Sequence, residues 1–172
     1  MIEPPKIYCL DANVLIQAWQ KYYSINLCPN YWDLLNELGE RRKIFIPEIV
    51  KDEIVSKEDD LTKWLKASKI PIEKIDDIVI SKWHEIQDAN HLHKFLVDNT
   101  KNRSLADPWL IAHSMKLKAT VVTKESKVTD PSSKKIRIPN VCENMNVTCI
   151  DDFEFLEDIG IRFEAFFENN LL

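Results

Sequence analysis

Short apolar runs alternate along this chain with segments whose apolar residues recur at helical spacing. The runs predict strands at residues 7–10, 43–47, 119–123, around 136–138 and 147–150. Helices are predicted around Tyr31–Arg42, from Pro47 onward, from Asp107 and from Asp152. Strands that alternate with helices indicate an α/β fold with a mostly parallel sheet, in which sites form beyond the C-terminal ends of the strands.

The middle of the chain differs from this alternation. Residues 56–104 mix charged and apolar positions at helical period, which predicts a helical insert with six apolar anchors: Trp64, Leu65, Ile75, Val79, Trp83 and Ile86. Residues 161–172 place Phe163, Phe166 and Phe167 at helical spacing, so we expect a C-terminal helix or tail that packs on the core or forms a partner or dimer face. The full length of 172 residues fits a single domain, residues 1–172.

Composition removes several classes of function. With only two glycines there is no glycine-rich loop to hold a phosphate or a dinucleotide. We expect a cytoplasmic protein without membrane contact, because no apolar run approaches the ~20 residues of a membrane span and no signal peptide is visible. The four scattered cysteines predict reduced thiols. A net charge of −5 is not typical of a nucleic-acid binder, although a site that gathers carboxylates around bound cations carries negative charge.

Two acidic residues occur at positions where the surrounding apolar pattern predicts a buried apolar side chain. Asp11 ends the first predicted strand, where an ionised group is costly unless it is paired, bound to metal or used as a helix cap. Glu53 shares a helical face with Ile49, Val50 and Ile54, so it is either a buried functional acid or a helix-edge side chain that reaches solvent. Asn13 could add a neutral oxygen or an amide donor beside Asp11.

Two further acids stand where elements begin or end. Asp107 precedes Pro108 and fits either an N-cap or a carboxylate kept ionised by a helix N-terminus. Thr123 and Glu125 follow the strand at 119–123 and are expected at the same sheet edge as Asp11. Asp130 is a second candidate for that corner, although a turn before Pro131 explains it better. Hard cations such as Mg²⁺ or Mn²⁺ prefer such oxygen ligands.

The chain resembles the PIN-domain family in four segments that occur in the family's order. These segments are YCLDANVLI at residues 8–16, IFIPEIVKDEIV at 44–55, ADPWLIAHSMKLKATVVTKE at 106–125 and VTCIDDFEFLEDIG at 147–160. The arrangement is most similar to the VapC-like toxin branch, and within it to PIN-like relatives that carry an IPNVC-type segment, here residues 138–142.

This resemblance implies a three-layer α/β/α fold with a central parallel sheet and an Mg²⁺- or Mn²⁺-dependent endoribonuclease site. It implies metal ligands and catalytic acids at Asp11, Glu53, Asp107 and Glu125, with Asn13 and Thr123 as accessory polar residues. Glu125 stands where the family more often has Asp, which leaves Asp130 as a possible substitute. The resemblance also implies the toxin of a type II toxin–antitoxin pair, with an RNA substrate and an antitoxin partner. The apolar C-terminal residues leave a homodimer open as well.

Basic residues flank the expected site and predict contacts to RNA phosphates, or else a solvated loop. They are Lys101, Arg103, Lys124, Lys127, Lys134, Lys135 and Arg137. Trp109 is expected in the core, unless it is exposed enough to stack on a base.

Three alternatives remain open at the level of the sequence. A phosphatase of the haloacid-dehalogenase type also uses a strand-end Asp, but it expects a second Asp at the position of Asn13. A housekeeping RNA-processing nuclease would share the fold and the site. A non-catalytic PIN-like module would bind RNA or protein without cutting.

Overall fold

A computed structural model describes residues 5–97, 105–133 and 135–164. Within these ranges the chain forms a five-stranded sheet built from β1 (Tyr8–Leu10), β2 (Ile44–Pro47), β3 (Ile72–Glu73), β4 (Thr120–Val122) and β5 (Cys149–Ile150). The helices are α1 (Ala12–Gln17), α2 (Pro29–Glu40), α3 (Glu48–Ile54), α4 (Asp60–Ala67), α5 (Asp77–Ala89), α6 (Asp107–Leu117), α7 (Ile138–Asn144) and α8 (Asp152–Asp158). A π-helical turn, Ala18–Tyr22, extends α1, and a 3₁₀ turn, His93–Leu96, follows α5.

All strand pairs are parallel, in the order β3-β2-β1-β4-β5. The predicted α/β/α fold is therefore confirmed, with a sheet that is parallel throughout. β1 lies at the centre and pairs with β2 on one side and β4 on the other. Its three residues are fully buried, as expected for a strand covered on both faces. Helix α6 packs across β1, β2 and β4.

The parallel register places the C-terminal ends of neighbouring strands side by side. Leu10 pairs with Val122, and Val122 pairs with Ile150. Beyond these ends, the Asp11 N–H donates to the Val122 carbonyl at 3.0 Å. The Thr123 N–H donates to the Ile150 carbonyl at 3.1 Å. The residues that follow β1, β4 and β5 are thus held at one edge of the sheet.

The predicted insert contains helices α4 and α5, but it also contributes a strand. The Pro71 carbonyl accepts a hydrogen bond from the Ile46 N–H at 3.0 Å, which places β3 against β2. Two residues are too few to produce a recognisable alternation, so the pattern indicated only helices. The six predicted anchors all pack in or against the core. Trp83 also stacks on Trp109 of α6, with ring centroids 5.5 Å apart, so Trp109 is a packing residue.

The predicted strand at residues 136–138 is wrong, whereas the predicted C-terminal helix or tail lies mostly outside the described residues. Residues 136–138 do not form a strand, because Ile138 begins α7 and a proline follows in its first turn. Residues 161–164 are irregular, and Phe163 is exposed and stacks on Tyr23. Phe166 and Phe167 lie outside the described residues.

Other expectations concern the thiols and the membrane. All four cysteines are free, as predicted. None of the helices in the described ranges combines the length and apolar character needed to span a bilayer.

Candidate active site

Asp11 is a deeply buried acid at this sheet edge. It follows β1 directly, and only 4% of its surface is exposed. It occupies the N-cap position of α1, yet its side chain makes no capping hydrogen bond there. Instead, the Thr123 hydroxyl donates to Asp11 Oδ2 at 2.8 Å across a separation of 112 residues. A helix cap therefore does not account for this carboxylate.

The surroundings of Asp11 make its ionised form costly. The pKa of Asp11 is raised to about 6, mainly because the side chain is buried and in part because of the negative charges of Glu125 and Glu53. Hydrogen bonds from Thr123 and from the Ala12 backbone work in the opposite direction. None of the described basic residues forms an ion pair with Asp11. Three acids from three separate elements thus converge without a cation of the described chain to neutralise Asp11.

Glu53 approaches Asp11 from helix α3, and Asp107 lies next to Ala106, whose backbone donates a hydrogen bond to Glu53. Glu53 is half-buried, and burial raises its pKa, while a hydrogen bond from the Ala106 backbone lowers it. Asp107, the residue after Ala106, begins α6 and is 8% exposed. The expected helix start is confirmed, but the capping position is wrong by one residue, because Ala106 is the N-cap. Asp107 instead lies in the first turn, where the helix dipole favours a negative charge.

Three other aspartates show what capping looks like in this protein. Asp59, Asp76 and Asp151 each accept a hydrogen bond from the backbone N–H three residues ahead, at 2.8–3.0 Å. Each also begins its helix from the exposed or half-buried surface. Asp11 is buried and does not follow this pattern, so a different use of its carboxylate is required.

Thr123 connects Asp11 to Glu125. Its hydroxyl donates to Asp11 and accepts from the Glu125 N–H at 3.2 Å. The Glu125 carboxylate in turn accepts from the Ile138 N–H at 3.0 Å, through Oε2. Glu125 therefore has a structural role at the start of α7, as well as its charge near Asp11.

Asp130 and Asn13 lie on the outside of the protein. Asp130 is exposed and accepts from the Ser132 N–H and hydroxyl at 2.9 and 2.7 Å, which is a turn arrangement. These hydrogen bonds lower its pKa. Asp130 lines a separate surface depression beside Asn140, so it is not a substitute for Glu125. Asn13 is exposed in the first turn of α1, next to Asp11 in the chain.

The acids are near one another without forming a closed set of ligands. Among the residues that the structure covers, no three His, Cys, Asp or Glu side chains are grouped closely enough to hold a metal ion. A structural zinc site, which needs about four protein ligands, is therefore not formed by these residues. Magnesium usually takes one or two carboxylates and keeps several waters.

The basic residues predicted to contact RNA fall into three groups. Lys124 is not free to do so, because it is buried against both oxygens of Asp152 at 2.7 and 2.8 Å. Lys127 forms an exposed ion pair with Glu143 at 2.7 Å. Lys135 and Arg137 are exposed at the surface. Three more predicted contacts lie outside the described residues: Lys101, Arg103 and Lys134.

Sequence reasoning missed a cavity beside the acids. It encloses about 300 Å³ at the ends of β4 and β5 and is lined by Thr123, Glu125 and Phe153, among others. Asp152 is buried beneath it and binds Lys124. The available signal was the pair Asp151–Asp152 after an apolar run, in which only the first aspartate is needed as a cap.

Two comparisons of solved structures locate the fold. One chain in the crystal structure of VapBC2 from Rickettsia felis, bound to a DNA fragment from their promoter, superimposes with a TM-score of 0.55 and 16% identity. The match covers 84% of this chain and 98% of that one. A chain of FitAcB from Neisseria gonorrhoeae gives a TM-score of 0.51 and 13% identity over 84% of this chain and 96% of that one. At identities this low, the structural likeness establishes the fold alone.

Sequence comparisons add a family. Residues 8–163 match a family described as a domain of unknown function, DUF4411. No curated protein matches the chain at a significant level. The matched range includes every strand and all four candidate acids.

Proposed function

This chain belongs to the DUF4411 family, and from its carboxylate site we propose that it is a metal-dependent endoribonuclease that cleaves RNA phosphodiester bonds. One observation carries the proposal. Asp11 is buried at the end of the central strand, and its side chain makes no capping hydrogen bond to α1. Its pKa is raised by this burial and, to a smaller extent, by the charges of Glu125 and Glu53. Such a cluster costs folding stability unless a cation joins it, which is the expected signature of a site kept for chemistry.

The donor set fits Mg²⁺ or Mn²⁺. In this proposal the metal ligands are the carboxylates of Asp11, Glu53, Asp107 and Glu125, and these ions favour oxygen ligands. When bound, the ion would neutralise the acids and polarise a phosphate oxygen.

Each residue of the chain has a distinct task in this proposal. Asp11 holds the ion most directly, because it lies at the centre of the acid cluster. Thr123 fixes the rotamer of Asp11 through its hydroxyl, and this bond is shielded from water. Glu53 and Asp107 close the site from helices α3 and α6. Asn13 is exposed beside Asp11 and can donate its amide to an RNA phosphate.

Glu125 combines a structural role with its proposed role in metal binding. One carboxylate oxygen accepts from the Ile138 N–H, which leaves the other oxygen to face an ion or a water. Its position is therefore coupled to the start of α7, the IPNVC segment. Lys135 and Arg137 flank that segment at the surface and can contact the substrate backbone.

The biological role proposed is that of a toxin in a type II toxin–antitoxin pair, acting in the cytoplasm. It is supported by the resemblance of the motifs to VapC-like toxins and by the fold shared with a chain of VapBC2. An antitoxin would act by covering the acid cluster or by placing a residue in it. We also propose that the protein can form a homodimer.

The test is cleavage of labelled tRNA and ribosomal RNA fragments by purified protein in Mg²⁺, Mn²⁺ or excess EDTA. Asp11→Asn is compared with Asp130→Asn, which makes the same change at an exposed turn. We expect discrete products that require metal, disappear with Asp11→Asn and persist with Asp130→Asn. Products that persist in EDTA or in Asp11→Asn would refute the proposal. Growth arrest on induction, relieved by Asp11→Asn, separates a toxin from a housekeeping nuclease.

A non-catalytic RNA-binding module is the second candidate. The hydrogen bond from Ile138 to Glu125 favours it, since it gives the fourth acid a structural reason to be present. RNA binding that needs no metal, survives Asp11→Asn and is never followed by cleavage would establish this alternative.

A further inference from the structure

Two aromatic side chains are exposed beside the candidate active site. Tyr22 is 43% exposed and Phe153 is 51% exposed, and their rings meet edge to face with centroids 6.4 Å apart. Lys124 Nζ lies 4.5 Å from the centroid of Tyr22 and 5.0 Å from that of Phe153. Because Asp152 fixes Lys124 with two hydrogen bonds, the cation holds both rings in place. The result is a rigid aromatic platform, Tyr22 and Phe153, that solvent still reaches.

The platform borders the cavity of about 300 Å³, which Phe153 lines together with Thr123 and Glu125. Thr123 is also the residue that donates to Asp11. The cavity is thus continuous with the acid cluster at the end of β4. Its volume is at the lower end of the roughly 300–1,000 Å³ of small-molecule sites, which suits a single nucleotide unit rather than a duplex.

The charges around the cavity select against a phosphate inside it. Four acids and two lysines line it: Glu125, Asp151, Asp152, Glu154, Lys124 and Lys127. Both lysines are engaged in ion pairs. Asp151 and Glu154 each spend one oxygen on the capping box of α8 and keep a second oxygen that can accept a hydrogen bond. The cavity therefore favours a neutral ring that carries donor groups.

We propose that this cavity binds one unpaired nucleobase of the RNA, stacked on Phe153 beside Tyr22, with an exocyclic amino group directed at the cavity's carboxylates. This inference rests on the proposed function and specifies its substrate. Stacking on aromatic side chains is the usual way that proteins hold single-stranded bases. Carboxylates accept hydrogen bonds from amino groups such as that of cytosine. The substrate is accordingly single-stranded at the cut, with adenine, cytosine or guanine preferred to uracil in the cavity.

The test measures binding of fluorescein-labelled hexaribonucleotides of A, C or U by anisotropy. Ca²⁺ replaces Mg²⁺ so that binding is read without cleavage, and a gel verifies that the oligonucleotides stay intact. The variants are Phe153→Ala, Phe153→Trp and Tyr22→Ala. Phe95→Ala is the matched control, because Phe95 is 49% exposed and also lies near a lysine, Lys94, at 5.1 Å, but does not line the cavity.

We expect Phe153→Ala to weaken binding of the A hexamer roughly tenfold or more, Tyr22→Ala to weaken it less, and Phe153→Trp to retain it. Phe95→Ala should bind as the wild type does, and the U hexamer should bind most weakly. Equal affinities for Phe153→Ala and Phe95→Ala would overturn the inference, as would a wild-type protein that binds no hexamer. Metal-dependent cleavage by the same preparations would then leave the proposed function standing. Binding that depends on Phe153 in Ca²⁺, together with no cleavage of any RNA in Mg²⁺ or Mn²⁺, would support base binding by the cavity and refute the proposed nuclease activity.

Discussion

Asp11 and His113 are both buried, and burial moves their pKa values in opposite directions. It raises the pKa of Asp11 to about 6 and lowers that of His113 to about 4, because in each case the charged form is disfavoured. The two residues differ in their partners. Asp11 has Thr123, whereas neither ring nitrogen of His113 has a hydrogen-bond partner among the described residues. Asp11 is therefore part of the candidate active site, whereas His113 is a packing residue of α6.

His113 makes the protein sensitive to mild acid. The unfolded chain binds a proton at this residue as the pH falls below 6.5, but the folded chain does so only near 4, so stability is lost across that interval. At pH 5 the loss from this one group is about 2 kcal/mol. His113→Phe should remove it, which urea unfolding at pH 7 and pH 5 would measure. His84→Phe, at an exposed position of α5, is the control and should follow the wild type. An unchanged pH dependence in His113→Phe would refute the assignment.

Thr123 is predicted to matter through its hydroxyl and not through its shape. Thr123→Val keeps the volume but removes the donor to Asp11, and should reduce cleavage and metal affinity about 10- to 100-fold. Thr123→Ser restores the hydroxyl and should recover most of both. Single-turnover cleavage and a metal titration would measure these effects. Equal activity of the Val and Ser variants would show that the hydrogen bond has no part in the reaction.

At the scale of the elements, long periodic segments were predictable and short or irregular ones were not. The strand before Asp11 and the helix at Asp107 follow directly from apolar runs and a proline. The strand β3 is too short to show a period. The segment at 136–138 is apolar enough for a strand, but Pro139 and the bond from Ile138 to Glu125 start a helix there. Local pattern cannot anticipate a partner thirteen residues away.

The contact between α2 and the segment before β3 depends on a glycine. A Cβ added at Gly39 would lie 2.7 Å from the Cα and 2.8 Å from the N of Ile70, so backbone atoms would have to move. We expect Gly39→Ala to lower the free energy of unfolding by about 2 kcal/mol, despite the better helix propensity of alanine. Denaturant unfolding is the measurement.

The other glycine provides the comparison. Gly160 has φ +73° and no atom within 4 Å of an added Cβ. Gly160→Ala should therefore cost only the left-handed backbone penalty, about 1 kcal/mol. If Gly39→Ala proves as stable as the wild type, α2 and the Ile70 backbone can separate without loss.

At the scale of the whole molecule, the acid cluster around Asp11 opposes folding as long as no cation neutralises it. Because the pKa of Asp11 is raised from 3.8 to about 6 on folding, stability falls as the pH rises through this interval, and the cost is on the order of 3 kcal/mol at pH 7. Mg²⁺ or Mn²⁺ should therefore raise the Tm of the wild type. Asp11→Asn should be at least as stable as the wild type in EDTA and gain little from metal. Thermal melts with and without metal measure both effects, and a wild-type Tm that ignores both ions would contradict the prediction.

The residues of the candidate site that directly follow strands were predictable from the sequence. Asp11, Thr123 and Glu125 follow strands, and parallel pairing brings those ends together. The use of Lys124 was not predictable, because its partner Asp152 and the two rings come from distant segments. Charge along the chain left a phosphate contact and a solvated loop equally open for Lys124, and only the packing of α8 shows that it is paired with Asp152.

The position of β1 has a consequence for how the protein is made. This strand is synthesised before the other described strands, yet it is the middle strand of the sheet and pairs with β4, more than 100 residues later. The nascent chain can form the β1–β2 pair early, but Asp11 lacks Thr123 and Glu125 until β4 has emerged. The ribosome must therefore synthesise the chain through residue 125 before these three side chains can come together. A stalled or truncated product that ends before residue 120 has β1 but cannot form the acid cluster around Asp11.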